Sequence, residues 1–251
     1  MKTAFISGAT SGFGRAIAIR LASMGFKLII TGRRKERLDD LTSLLKTEYS
    51  AEVLALCFDV RSNEACTSAI QTLPEEFQTI DLLINNAGLA AGASPFDQSS
   101  LIDYDQMIDT NVKGLLYITK LIVPKMIEQK AGHIINISSI AGIEVYPNGS
   151  VYCASKHAVN AITKGLRLDL IKYGIKVSSI SPGMADTEFS LVRYHGNQEM
   201  ANAVYKGLIP LSADDIADTV EFIISRPAHV CINDIQINPA QQANTYISHR
   251  N

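Results

Sequence analysis

The chain has 251 residues, 47% apolar and 19% charged, enough apolar side chain for a sizeable buried core and too much for a disordered segment. A net charge of −2, with no long run of Lys or Arg, excludes the basic footprint of a nucleic-acid binder or of a protein held on an anionic membrane surface. No apolar run approaches the roughly 18 residues needed to span a bilayer, and Cys57, Cys66, Cys153 and Cys231 lack metal-ligand spacing, so they read as free thiols.

The first residues run directly into an apolar strand rather than the longer apolar segment of a secretion signal, so the expected address is cytoplasmic. Residues 3–7 predict that strand. A helix is expected over 15–24, with Ala16, Ile17, Ile19 and Ala22 toward the core and Gly25 as its stop. A second strand follows at 26–31, a charged amphipathic helix at 35–47 and a third strand at 53–58. The pattern then predicts a helix over 64–73 stopped by Pro74, and a fourth strand at 81–85. One long helix is expected over 104–129, kinked at Pro124. A fifth strand at 133–138, a helix over 150–173 ending before Gly174, and a sixth strand at 175–181 come next. Ser212 reads as the N-cap of a helix reaching Ser225, and 230–237 as a seventh strand. The polar stretch 184–210 is expected to form a mobile lid.

Seven strands separated by six helical crossovers predict an α/β fold. It is a single doubly wound domain, residues 1–251, with a parallel sheet covered by helices on both faces. Gly8-Ala9-Thr10-Ser11-Gly12-Phe13-Gly14 falls between the first strand and the first helix. There the backbone can approach a pyrophosphate and helix N–H groups can point at it. At the end of the second strand, where an acidic residue would bond the adenosine ribose of NAD, the chain has Gly32-Arg33-Arg34. Arg33 and Arg34 would instead attract a 2′-phosphate, so the expected cofactor is NADP.

Tyr152 and Lys156 lie one helical turn apart and so share a face. A free phenol, with a pKa near ~10, exchanges protons poorly at neutral pH. The Lys156 ammonium and a positive nicotinamide would favour the phenolate. Tyr152 is then the base in alcohol oxidation and the acid in carbonyl reduction, and Lys156 has further N–H groups for the nicotinamide ribose.

The glycine turn, Asn85-Asn86-Ala87-Gly88, Asn111, Ser139 and the Tyr152/Lys156 pair stand in one order along the chain. Together they resemble the short-chain dehydrogenase/reductase family, whose fold is of the Rossmann type. Ser7 stands where that family usually has threonine. The resemblance implies that Asp59 and Val60 contact the adenine, and that Asn86, with Ala87 and Gly88, lies along the adenosine. It implies that Ser139, rather than its neighbour Ser138, polarises the substrate oxygen. Asn111 would support a water-linked proton relay to Lys156. Pro182 and Gly183 would hold the nicotinamide carboxamide, with Thr187 as its hydroxyl partner.

Further stretches, among them 31–38, 107–111, 187–193 and 227–233, resemble a subgroup of NADP-dependent 3-hydroxy acid dehydrogenases. That subgroup oxidises L-allo-threonine, L-serine and related acids, and some members reduce short semialdehydes. Its members are usually homotetramers. A carboxylate taken out of water needs a cation or several N–H donors, and Arg193 matches the subgroup's lid arginine, with a solvated arginine as the alternative. Glu144 reads as an exposed loop acid, with a partner for a substrate ammonium as the alternative. Two rival functions remain: an NADPH-dependent carbonyl reductase of uncharged ketones or pterins, and a catalytically silent NADP-binding regulator.

Overall fold

The structure is a computed structural model that describes all 251 residues. Seven parallel strands, β1 (Thr3–Ile6), β2 (Lys27–Gly32), β3 (Val53–Cys57), β4 (Leu82–Asn85), β5 (Gly132–Ile137), β6 (Ile175–Pro182) and β7 (Asp234–Ile237), form one sheet. Their order is β3-β2-β1-β4-β5-β6-β7. The central strands β1, β2 and β4 alternate their side chains between two apolar layers, which is why they read as apolar runs. In β1, Ala4 and Ile6 face one layer and Phe5 the other; β2 divides Leu28 and Ile30 from Ile29 in the same way.

The first layer is built with α1 (Gly12–Ser23), α2 (Lys35–Tyr49) and α9 (Ala213–Ile224), which contribute Ile17, Leu41 and Val220 among others. The second uses α3 (Asn63–Gln71) and α5 (Leu115–Gln129), through Ile70, Ile118 and Ile122. Asp215 accepts the backbone N–H of Ser212 while the Ser212 hydroxyl accepts that of Asp215, closing a capping box that fixes the start of α9.

The predicted long helix is one column in three pieces. α4 (Leu101–Ile108) passes through a wide π turn at Asp109–Gly114 into α5, which contains Pro124. Asn111 sits inside that wide turn. Single-turn π segments of this kind recur at functional sites. The seventh strand begins later than predicted, and the carbonyls of Val230 and Ile232 are taken by side chains of β6. Lys176 Nζ donates to Val230 O at 3.2 Å, and Ser178 Oγ to Ile232 O at 2.6 Å. Between β6 and α9 the predicted lid contains two short helices, α7 (Glu188–Arg193) and α8 (Gln198–Ala203). No helix is long and apolar enough to cross a membrane.

Candidate active site

The chain reverses its winding direction between β1 and β4, and beyond the carboxyl ends of these strands lies a cavity of about 640 Å³. Of the residues that sequence predicts for the site, Glu144 lies outside the cavity, and all the others but Gly14 and Asn111 line it. Those two act from behind. A Cβ on Gly14 would stand 2.3 Å from the Gly8 carbonyl oxygen, so glycine there allows α1 to begin against the turn. Gly8 itself has φ +70°, and a Cβ on it would meet Ala87 Cα at 2.9 Å.

β4 braces this turn. Asn86 Nδ2 donates to the carbonyls of Ser7 and Gly8 at 3.0 and 2.9 Å, and the Ser7 hydroxyl accepts the N–H groups of Asn86 and Ala87 at 3.1 Å each. Helix α1 starts at Gly12, three residues before the predicted boundary, and its N-cap Ser11 makes no side-chain capping bond. Its first N–H groups are therefore left for an anion.

At the far end of this half, Arg34 donates to Thr10 Oγ1 at 3.0 Å and to Ser11 Oγ at 2.8 Å. Arg33 lies 3.6 Å from Asp59. Burial works to raise the Asp59 carboxyl, but its hydrogen bonds from Arg61 outweigh that and hold it below the usual range. An uncapped helix start, a backbone laid bare by glycine and two guanidiniums at the ribose end fit a dinucleotide with a 2′-phosphate.

Helix α6 (Ser150–Leu170) presents Tyr152 and Lys156, both buried. A chain of buried amides and hydroxyls ties α6 to the sheet. Asn85 Nδ2 donates to Asn136 Oδ1 at 2.8 Å, Asn136 Nδ2 to Thr163 Oγ1 at 2.8 Å, and Thr163 Oγ1 to Val159 O at 2.7 Å. Lys156 Nζ donates to Ile137 O at 3.0 Å and lies 5.9 Å from the centre of the Tyr152 ring. Burial pushes its ammonium down to about 8. Phe189 of α7 meets the tyrosine ring edge-on, with centroids 5.6 Å apart.

Burial also pushes the Tyr152 phenol up from its ordinary value, with Tyr146 adding to the rise, while Ser139 and Arg193 work against it. Burial thus outweighs the downward pull expected of the lysine. The two adjacent serines separate clearly. Ser138 Oγ is buried against Lys156 O at 3.4 Å, whereas Ser139 is half-buried and its hydroxyl acts on Tyr152.

Asn111 grips Leu89 from both sides, its Oδ1 accepting the Leu89 N–H and its Nδ2 donating to Leu89 O, each at 2.8 Å. The same Nδ2 reaches Ser155 Oγ at 3.0 Å, next to Lys156 in the chain. Asn111 thus pins the strand-four loop to α6. Thr187 caps α7 by accepting the Phe189 N–H at 3.2 Å while still facing the cavity.

The lid closes the other half. Arg193 Nε donates to Gly92 O at 3.2 Å, its Nη1 donates to the Tyr146 hydroxyl at 3.1 Å, and its guanidinium lies 5.4 Å from the centre of the Tyr146 ring. Arg193 is therefore held at the cavity wall, not solvated. Sequence reasoning missed several wall residues. Glu188 joins the lid to Arg34, Tyr146 orients Arg193, and Gln242, Thr245 and Arg250 reach the site from the C-terminal tail. Gln242 accepts the Met184 N–H at 2.8 Å. No local pattern marks such tail residues, because their partners lie far away in the chain. No His, Cys, Asp and Glu cluster capable of holding a metal ion is present.

Comparison with known proteins gives the same picture. The model of the short chain dehydrogenase family matches residues 2–196. Serine 3-dehydrogenase of Rhizobium radiobacter is 45% identical over 241 residues, covering 96% of this chain and 95% of that protein. Sulfoacetaldehyde reductase 2 of Chromohalobacter salexigens is 45% identical over 239 residues, covering 95% and 94% respectively. The solved closed form of a serine dehydrogenase complexed with NADP+ superposes with a TM-score of 0.92 at 40% identity, covering 99% of this chain and 100% of that one.

Proposed function

The chain belongs to the short chain dehydrogenase family, and we propose that it is an NADP-dependent oxidoreductase acting at the 3-hydroxyl carbon of small 3-hydroxy acids, or on the matching semialdehydes. The observation that carries this reading is the single cavity itself. It sets the buried Tyr152 and Lys156, with Ser139, between a glycine turn backed by Arg33 and Arg34 and a fixed lid guanidinium, Arg193.

Gly8, Thr10, Ser11, Gly12 and Phe13 would cradle the pyrophosphate, and Arg33 with Arg34 would hold the 2′-phosphate. Asp59 and Val60 would border the adenine, with Asn86, Ala87 and Gly88 beside the adenosine. Lys156 and Tyr152 would meet the nicotinamide ribose, and Pro182, Gly183 and Thr187 the carboxamide. When bound, the nicotinamide supplies or accepts the hydride.

The chain's own residues handle the proton and the orientation. Ser139 holds the substrate oxygen beside Tyr152. In oxidation the Tyr152 oxygen takes the hydroxyl proton; in reduction it returns one to the carbonyl oxygen. Lys156, charged below about pH 8, lowers the cost of the phenolate and carries protons toward solvent. Asn111 acts as a positioning residue on this path, through Leu89 and Ser155. Arg193 binds the carboxylate, in a setting where a fixed guanidinium replaces the water that the anion loses.

Its likeness to a sulfoacetaldehyde reductase favours one second reading, reduction of a short aldehyde that carries a sulfonate on the same guanidinium. We also propose a cytoplasmic homotetramer. The exposed thiols Cys57 and Cys231 suit a reducing compartment, and the exposed apolar Leu101, Ile102, Leu116 and Leu168 are surface that assembly would cover.

Initial rates of nicotinamide reduction, with NADP and NAD in parallel, test the reading across L-allo-threonine, L-serine, 3-hydroxyisobutyrate and a plain secondary alcohol. NADP-linked oxidation of the acids is expected. Preference for the uncharged alcohol would point to the carbonyl reductase, and cofactor binding without any turnover to the silent regulator.

A further inference from the structure

Serine and threonine carry an ammonium beside the carboxylate, and an ammonium removed from water requires an anionic partner or a full set of acceptors. Only two acidic residues line the cavity, Asp59 and Glu188. Both are already engaged at the cofactor end. Asp59 is paired with Arg61 at 2.7 Å and with Arg33, and Glu188 with Arg34 at 2.8 Å and with Arg37. The loop after Ser139 offers one more acid, Glu144, but it does not face the cavity. Its Oε2 accepts the backbone N–H of Thr245 at 3.2 Å and the Thr245 hydroxyl at 3.1 Å, so the carboxylate is committed to the C-terminal tail. Meanwhile Arg193, Arg250 and Lys156 all line the cavity.

We propose that Thr245, by holding Glu144 out of the cavity, makes the substrate half a cationic site selective for small hydroxy anions without an α-ammonium group. Placing such a group between Arg193 and Lys156 brings like charges together in a partly desolvated space, which costs affinity. This rests on the proposed hydroxy-acid activity and narrows its substrate class. It also overturns Glu144 as the ammonium partner considered from the sequence.

The test compares 3-hydroxypropanoate with L-serine, which differ only in the ammonium, using NADP with the full-length protein and its Glu144→Gln variant. The expected kcat/KM ratio is about 10 or more in favour of 3-hydroxypropanoate, since tenfold is the least that a misplaced charge should produce. Glu144→Gln should change both substrates by the same factor. A smaller ratio, or a loss confined to L-serine in Glu144→Gln, overturns the inference and leaves the hydroxy-acid activity standing. If neither acid is oxidised while propan-2-ol is, the proposed function itself fails, and the inference with it.

Discussion

Arg34 Nη1 and Glu188 Oε2 meet at 2.8 Å, across 154 residues of chain, and join the end of β2 to the first turn of α7. Burial works to raise the Glu188 carboxyl, but Arg37 and Arg34 outweigh it and hold the carboxyl below its usual range. The guanidinium proposed for the 2′-phosphate is thus also an anchor of α7.

Arg34→Ala should weaken NADPH binding by about 10- to 100-fold, the worth of one or two charge-assisted hydrogen bonds. NADH binding should change by less than about threefold, since NADH lacks the 2′-phosphate that the lost group would hold. Fluorescence titration of both reduced cofactors checks this. Equal losses for the two would place Arg34 away from the phosphate.

Arg193 donates to Gly92 O and to the Tyr146 hydroxyl, and it lines the same cavity as Tyr152. Arg193→Ala should raise KM for 3-hydroxyisobutyrate by about 10-fold or more, the cost of leaving a buried carboxylate without its cation. KM for an uncharged secondary alcohol should hardly move. Steady-state kinetics on the two substrates separates these outcomes, and equal increases would remove the carboxylate role.

Lys156 gives a pH signature in the cofactor-free protein. Its folded value of about 8 lies below the ordinary lysine value of 10.5, so between these the unfolded chain binds more protons and stability rises with pH. Below pH 8 the ammonium is charged in both states, and the penalty of about 3 kcal/mol is fully present. Tyr152 sets the upper limit, because its raised folded value makes stability fall once the unfolded phenol ionises near 10. Thermal melts from pH 8 to 10 should climb by several degrees for the native protein, and Lys156→Met should lose most of that climb. Parallel curves for the two proteins would contradict the buried-ammonium account.

Much of this site could be read from the sequence, and the parts that could not share a cause. The glycine turn, the Tyr152/Lys156 pair and the first six apolar runs are short-range patterns, governed by helix and strand periodicity, and each stands close to where it was expected. The π turn around Asn111 has no such signature, since it depends on how α4 and α5 pack on α6. The seventh strand was overextended because Val230 and Ile232 have strand-like side chains, while their carbonyls serve Lys176 and Ser178. The engagement of Glu144 was hidden for the same reason, as its partner Thr245 is 101 residues away. Gln242 and Arg250 belong to this class too. Burial was likewise invisible in the sequence, and it works to raise the Tyr152 phenol.

The central claim is that the Tyr152 oxygen carries the proton while the rest of the cavity only binds and orients. Tyr152→Phe keeps the ring against Phe189 and removes that oxygen alone. NADPH affinity and NADP-linked turnover of a 3-hydroxy acid, measured on the same preparation, decide it. The account predicts affinity within about twofold of the native protein and turnover lower by about 100-fold or more, as for a lost proton-exchanging group. Turnover near the native level would contradict it.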